Sequence, residues 1–457
     1  MTYFRNYYIH EKEFLTANKR DLAVFYVVLL TLCFPIFYSI ITCFTISDAL
    51  NIIPIFAITT LITLVIIFTM DFTIKRFDKV KIKTNFHPTF IVLILFMIYI
   101  TISSFVNPQF YAKASLDRNI LGIGFEALVH FISYFIIFLA AFSLKDNNLK
   151  IKLLKVFCLI SIYVGILAFI DPNGTIVPAH LPGIYTYKWS SMFLNPNHFG
   201  YYLVLTTITS TMIFLNSKNL YEKFVYGFCF VLNVSLLLIN QSYGPKLAVF
   251  ITLLFLPFYY FFKTRKWSLS FSPLIAFLVV ALFVTNQKFY LDTHNTLNEI
   301  FKLIFGTTSG AGSELPKPIP VEVTNTYGTN RIGLWREAIE YIKSSPIFGI
   351  GIGNFDTKIE GISLPHNEYI NYALTFGIPA LVLYLGIIIT AFVQRIITRR
   401  YTTKESNNIL TITFPIVFAY LISALFGNTM PHVMPYFVII TGILLSSISP
   451  IKQNKLK

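Results

Sequence analysis

Apolar residues run in long blocks along most of the chain, and short polar turns separate them. The blocks predict twelve helices, at 22–44, 52–70, 88–106, 122–142, 153–170, 199–216, 224–241, 247–262, 271–285, 377–394, 409–426 and 436–449. About 20 residues of helix cross a bilayer core, so the pattern specifies an all-α polytopic membrane protein. Several blocks are shorter than that, and 271–285 is the least distinct. Two polar stretches are long, 171–198 and 286–376. They divide the chain into an N-terminal bundle of about nine spans (1–285, including the 171–198 loop), a large loop (286–376) and a C-terminal bundle of about three spans (377–457).

Charge then orients the pattern. Only 12% of the 457 residues are charged, about half the usual share for a soluble domain. The net charge of +15 reflects 36 Lys and Arg against 21 Asp and Glu. With a cytoplasmic N-terminus, 25 of the 36 Lys and Arg fall on the inside. Seven of the remaining eleven lie in 286–376, a loop long enough to escape the charge rule. The expected topology is N-in/C-in, with 171–198 and 286–376 outside. The basic excess is accounted for by topology, and no nucleic-acid partner is expected. Cys33, Cys43, Cys158 and Cys229 all sit inside apolar runs, without metal-type or disulfide-type spacing. The first apolar run is too long for a signal-peptide core and lacks a small-residue cleavage site, so it reads as a retained anchor.

The large loop is uneven. Residues 286–305 are amphipathic and suit the membrane interface. Residues 307–329, rich in Gly, Ser, Thr and Pro, read as a mobile loop and are expected to act as a lid. From Asn330 the sequence regains helical order. Thr329 or Asn330 can cap a helix over Arg331–Lys343, whose apolar face is Ile332, Trp335, Ile339 and Ile342. Arg331 falls in the first turn, where the helix dipole disfavours a cation. Either an anion binds there or the side chain is a solvated arginine. Ser345-Pro346 ends the helix. Gly349, Gly351 and Gly353 follow, at spacing that suits a tight turn or close backbone approach rather than a dinucleotide site. A backbone nest for an anion is the alternative.

Pro365 then places His366 at the start of the next helix, where backbone N–H groups face any bound anion. A neutral imidazole there is a proton acceptor; an interfacial histidine without a role is the plain alternative. No second histidine stands at helical spacing, so no zinc or other metal site is expected. Asn195-Pro196-Asn197 marks a turn before a span, and Ser242-Tyr243-Gly244-Pro245-Lys246 forms a short turn on the same side. Both are open to ordinary turn chemistry. Glu126 and His130 share one helical face inside a span.

These residues resemble a family. Asn195-Pro196-Asn197-His198-x-Gly200 is similar to the NPN element of the O-antigen ligase/polymerase superfamily. Arg331-x-x-x-Trp335, the run Pro346 to Phe355, and His366-Asn367 followed by Gly377 resemble its large periplasmic loop and histidine signature. The resemblance covers roughly 185–395 and departs at two points. Ala380 stands where members often have another small or hydroxyl residue, and Ser242-Tyr243 with Lys246 stands where many have Ser-Arg.

The resemblance implies a GT-C-type glycosyltransferase in the bacterial plasma membrane, with its site on the extracytoplasmic face. It would need no cofactor and no metal. Its donor and acceptor would be glycans on undecaprenyl diphosphate, as in O-antigen, lipopolysaccharide, capsule or exopolysaccharide synthesis, and direct displacement would invert the anomeric centre. His366 and Arg331 would be catalytic. Lys246, Lys188, Arg336, Asn195, Asn197, Asn367 and Glu368 would bind substrate and diphosphate. A chain-length regulator and a flippase are the implied protein partners. A ligase moving finished polymer to lipid A–core shares every motif. A transporter of polysaccharide or lipid-linked oligosaccharide is the alternative of another class, but it expects midplane ionisable residues, of which the spans carry almost none, and related halves, of which no repeat is evident.

Overall fold

The computed structural model describes residues 19–37, 58, 60–62, 65, 87–107, 123–170, 191–193, 196–240, 242–264, 267–285, 330–352, 355, 365–427 and 433–448. Every regular element among them is helical, with no strand. Residues 19–32 and 34–37 are helical. Twelve labelled helices follow: α1 (Pro88–Val106), α2 (Ile123–Ser143), α3 (Asn147–Ile170), α4 (Pro196–Asn216), α5 (Leu220–Ile239), α6 (Tyr243–Thr264), α7 (Trp267–Thr285), α8 (Asn330–Ser344), α9 (Glu368–Phe376), α10 (Ile378–Thr398), α11 (Lys404–Ser423) and α12 (Met434–Ser447).

Seven of these helices are long and apolar enough to cross a membrane, and α2, α7 and α12 contain shorter apolar stretches. The expected spans from 88–106 onward each coincide with one helix, including the indistinct 271–285, which lies within α7. The expected span at 52–70 and the loop segments 286–305 and 307–329 lie outside the described residues, apart from the few positions named in 58–65.

The bundle is built around α4, whose residues are buried along nearly its full length. Its mid-section is unusually polar: Thr206, Thr207, Thr209, Ser210 and Thr211 are all buried. Four of these hydroxyls donate to carbonyls three or four residues back in the same helix, as Thr209 does to Leu205 at 2.6 Å and Thr211 to Thr207 at 2.8 Å. Internal satisfaction is what lets such a helix sit where water cannot reach. The exposed large side chains, among them Phe224, Phe262, Leu282 and Ile389, cover the outer faces of the bundle, where a bilayer takes the place of water.

Three residues separate α4 from α5 (217–219) and α5 from α6 (240–242). Helices that pack across so short a turn run antiparallel. The starts of α4 and α6 therefore lie at the same end of the bundle. The helix α9 joins them there, packed on the 3-10 turn Ala424–Phe426 and hydrogen-bonded to Tyr420 and Leu421 at the C-terminal end of α11.

Candidate active site

The site is assembled at that shared end. Asn219 caps α5 at the opposite end. At the near end Asn240 closes α5, and its side chain accepts from Ser242 N at 2.8 Å. The Ser242 hydroxyl then donates to Asn197 Oδ1 at 2.6 Å. The starts of α4 and α6 thus meet in one corner, held by Asn197, Asn240 and Ser242; the expected turn at 243–246 is the first turn of α6. Close packing supports it: a Cβ on Gly200 would come within 2.6 Å of Pro245, and one on Gly244 within 2.6 Å of Phe426.

Lys246 sits in the first turn of α6, half-buried, with Nζ 5.1 Å from the centre of the Tyr243 ring. It lies on the wall of an open groove with Tyr243, Leu247, Phe250, Phe277 and Phe426. Apart from the lysine the walls are almost wholly apolar, so the groove offers a cation at one position and hydrocarbon surface elsewhere.

The second corner is built by α8 and α9. The helix α8 covers the expected 331–343 and stops at Ser344, before Pro346. Its buried face differs from the expected one. Leu334 and Ala338 are buried against Phe355 and Leu374, with Tyr341, Ile342 and Ile370 alongside, whereas Ile339 is exposed. The small Ala338 brings α8 close to α9 and rotates Trp335 to the edge of the contact. From there the indole N–H donates to the Pro365 carbonyl at 2.9 Å. Position 331 is one turn before Trp335 on the same helical face; its side chain lies outside the described residues.

His366 follows directly, with φ at 51°. That left-handed conformation is uncommon for a side-chain-bearing residue and is strained by about 1–2 kcal/mol. It reverses the chain between the tethered Pro365 and Asn367, whose side chain caps α9 by accepting from Tyr369 N and Ile370 N at 3.1 Å each. His366 therefore lies two residues before α9 rather than inside it. This corrects the expectation that the helix start is open to an anion, because Asn367 already uses the backbone N–H groups of Tyr369 and Ile370. The side chain that occupies them is itself one of the expected substrate-binding residues.

Gly349 and Gly351 serve the other end of α9, and Gly353 lies outside the described residues. Ile350 N donates to Leu374 O at 2.8 Å and Gly351 N to Thr375 O at 3.0 Å. These are the carbonyls a helix end leaves unpaired. Gly349 has φ 67°, and a Cβ there would sit 2.4 Å from the Thr375 carbonyl. Gly377, with φ 94°, is tighter still: its Cβ would fall 1.7 Å from Ile347 O. Close backbone approach is the reading borne out. The N–H groups of Ile350 and Gly351 are used inside the protein, so they form no anion nest. Ser103 and Tyr99 of α1 bind the same loop through the Phe348, Phe376 and Ile347 carbonyls.

Glu368 is placed unlike a surface binding residue. It is fully buried at the first position of α9. Tyr384 of α10 donates to Oε1 at 3.0 Å and Tyr420 of α11 to Oε2 at 3.1 Å. Burial raises its carboxyl to about 7, and the tyrosine hydroxyls, Tyr372 included, pull the other way. The expectation that Glu368 touches diphosphate gives way to an internal role, since no face of it is exposed.

Arg336 is exposed on α8. Lys188 and Asn195 lie outside the described residues, as does the side chain of Glu126. His130 is buried in α2 beside Tyr134, at 6.2 Å between rings. Among the described residues no three His, Cys, Asp or Glu side chains are grouped to hold a metal ion.

Both corners pack on the same structure. Tyr369 of α9 donates to Leu421 O at 2.8 Å, and Gly244 of α6 rests on Phe426. The C-terminal end of α11 and the 3-10 turn after it therefore touch both the His366 corner and the Lys246 corner. Residues 228–385 match the O-antigen ligase family model, Wzy_C. The matched stretch holds Ser242–Lys246, Arg331, Trp335, the glycine run, His366–Glu368 and Gly377, while the NPN element precedes it. The match supports the O-antigen ligase/polymerase resemblance read from the motifs. No curated protein matches the chain.

Proposed function

We propose that this protein is a membrane glycosyltransferase that joins oligosaccharide repeat units carried on undecaprenyl diphosphate, acting at the outer face of the plasma membrane. The family match over 228–385 is the observation that carries the reading. The arrangement at the shared end of the bundle supports it. A lipid diphosphate needs hydrocarbon surface beside a cation, and the Lys246 groove has both.

In the reaction, the acceptor hydroxyl attacks the anomeric carbon of the donor glycan. His366 takes the hydroxyl proton. The new carbon–oxygen bond forms as the bond to the diphosphate breaks, and the diphosphate leaves with that electron pair. Lys246 and Arg331 meet the charge that grows on it. Displacement from the opposite face inverts the anomeric centre, and no step calls for a metal.

The description of the matched family favours one second reading, a ligase that transfers polymer to a lipid A–core acceptor. The two separate by acceptor. In liposomes, the purified protein given only lipid-linked repeat units is expected to build a ladder of lengthening glycans. Product formed only when lipid A–core is added would make it a ligase. No glycan transfer to either acceptor would overturn both readings.

A further inference from the structure

The buried Glu368 has no part in the steps above, yet it is fully enclosed and both of its oxygens are hydrogen-bonded. Removing a carboxylate from water is costly unless every lone pair is met. Here two oxygens are met by hydroxyls from two different helices, Tyr384 of α10 and Tyr420 of α11. Packing alone could have fixed α9 with a leucine at this position. Hydrogen bonds add direction, and so fix the angle at which α9 begins.

What begins there is the His366 turn. Glu368 follows the Asn367 cap, and His366 precedes it in a strained backbone conformation that persists only if its surroundings hold it. Trp335 secures the chain on one side, at Pro365. Glu368 secures it on the other.

The same tyrosine reaches the other corner. The Tyr420 ring packs edge-on against Tyr201 at 5.9 Å. The Tyr201 hydroxyl donates to the Ser423 carbonyl, and Tyr201 lies one helical turn after Asn197 on α4. Tyr420 also reaches Met434 of α12 at 3.2 Å.

We propose that Glu368 and Tyr420 form a positioning pair that fixes the His366 turn relative to the Asn197–Ser242 corner. The claim rests on the reading of His366 as the base. Glu368 touches no substrate and acts through His366.

The test uses the full chain in liposomes with lipid-linked repeat units. Glu368→Leu is expected to lower kcat tenfold or more while KM stays within twofold. Glu368→Gln, which still accepts from one hydroxyl, is expected to recover most of that loss. Tyr420→Phe removes one hydroxyl and little volume, and carries the test if Glu368→Leu fails to fold; it should lower kcat at least threefold. A folded Glu368→Leu protein with kcat within twofold of wild type would overturn the proposal, as would Glu368→Gln performing no better than Glu368→Leu. A second measurement needs no activity: amide hydrogen exchange followed by mass spectrometry in wild type and Tyr420→Phe. Exchange at 366–371 is expected to quicken at least fivefold, with α3 and α5 unchanged. Unaltered exchange there would refute the positioning pair even if the protein polymerises. Quickened exchange in Tyr420→Phe, with no glycan transfer by wild type, would leave the pair standing and refute the functional reading.

Discussion

Replacing Trp335 with phenylalanine isolates one contact that the placement of His366 depends on. Phenylalanine keeps an aromatic ring at the α8–α9 edge and removes the indole N–H, which donates to Pro365 O at 2.9 Å. A hydrogen bond of this kind contributes about 0.5–1.5 kcal/mol net, and a buried carbonyl left unpaired costs about 1–3 kcal/mol. Pro365 is buried, so the larger range applies. Pro365 is also bonded covalently to His366, so the loss falls on the base more than on the fold. Losing 1–3 kcal/mol of positioning slows turnover roughly five- to 150-fold. The assay is the initial rate of glycan transfer in liposomes, alongside thermal unfolding in detergent. Turnover within twofold of wild type, with unfolding unchanged, would refute the idea that this bond sets the histidine.

Other perturbations test the neighbouring parts. Gly377→Ala drives a Cβ into the Ile347 carbonyl at a backbone angle unfavourable for alanine; we expect a large drop in thermal stability, and a wild-type unfolding temperature would contradict it. Lys246→Gln should raise KM for the lipid diphosphate donor about tenfold, on the scale of one lost charge-assisted contact, and an unchanged KM would remove Lys246 from the donor site. The raised Glu368 carboxyl makes stability depend on pH. A carboxyl whose folded pKa is raised contributes fully below its ordinary value of 4.5, and that contribution is lost as pH rises towards 7. The unfolding temperature of wild type relative to Glu368→Gln should therefore fall between pH 4.5 and 7; a rise over that interval would contradict the buried placement.

Much of the fold was legible because membrane helices announce themselves by composition. Ten expected spans coincide with helices, α4 among them despite its buried threonines and serine. The two corners of the site were legible as motifs, since Asn-Pro-Asn, Ser-Pro and Pro-His-Asn each set local backbone by their own chemistry. Two things were not. The burial of Glu368 depends on Tyr384 and Tyr420, distant in sequence, and a glutamate at a helix start otherwise looks like a dipole-matched surface residue. The rotated face of α8 depends on Ala338, whose small side chain carries little weight in an apolar pattern but allows the closest approach. One signal was available and passed over: Tyr201 stands four residues after Asn197, on the same helical face.

The central claim is that His366 removes the acceptor proton in a transfer from lipid diphosphate. Its most direct test is glycan polymerisation by the purified chain in liposomes, with lipid-linked repeat units as the only glycan, comparing wild type with His366→Ala at matched folding. The account predicts a glycan ladder from wild type and at least a hundredfold slower transfer by the variant, as expected for loss of a general base. A ladder formed at the wild-type rate by well-folded His366→Ala protein would contradict it.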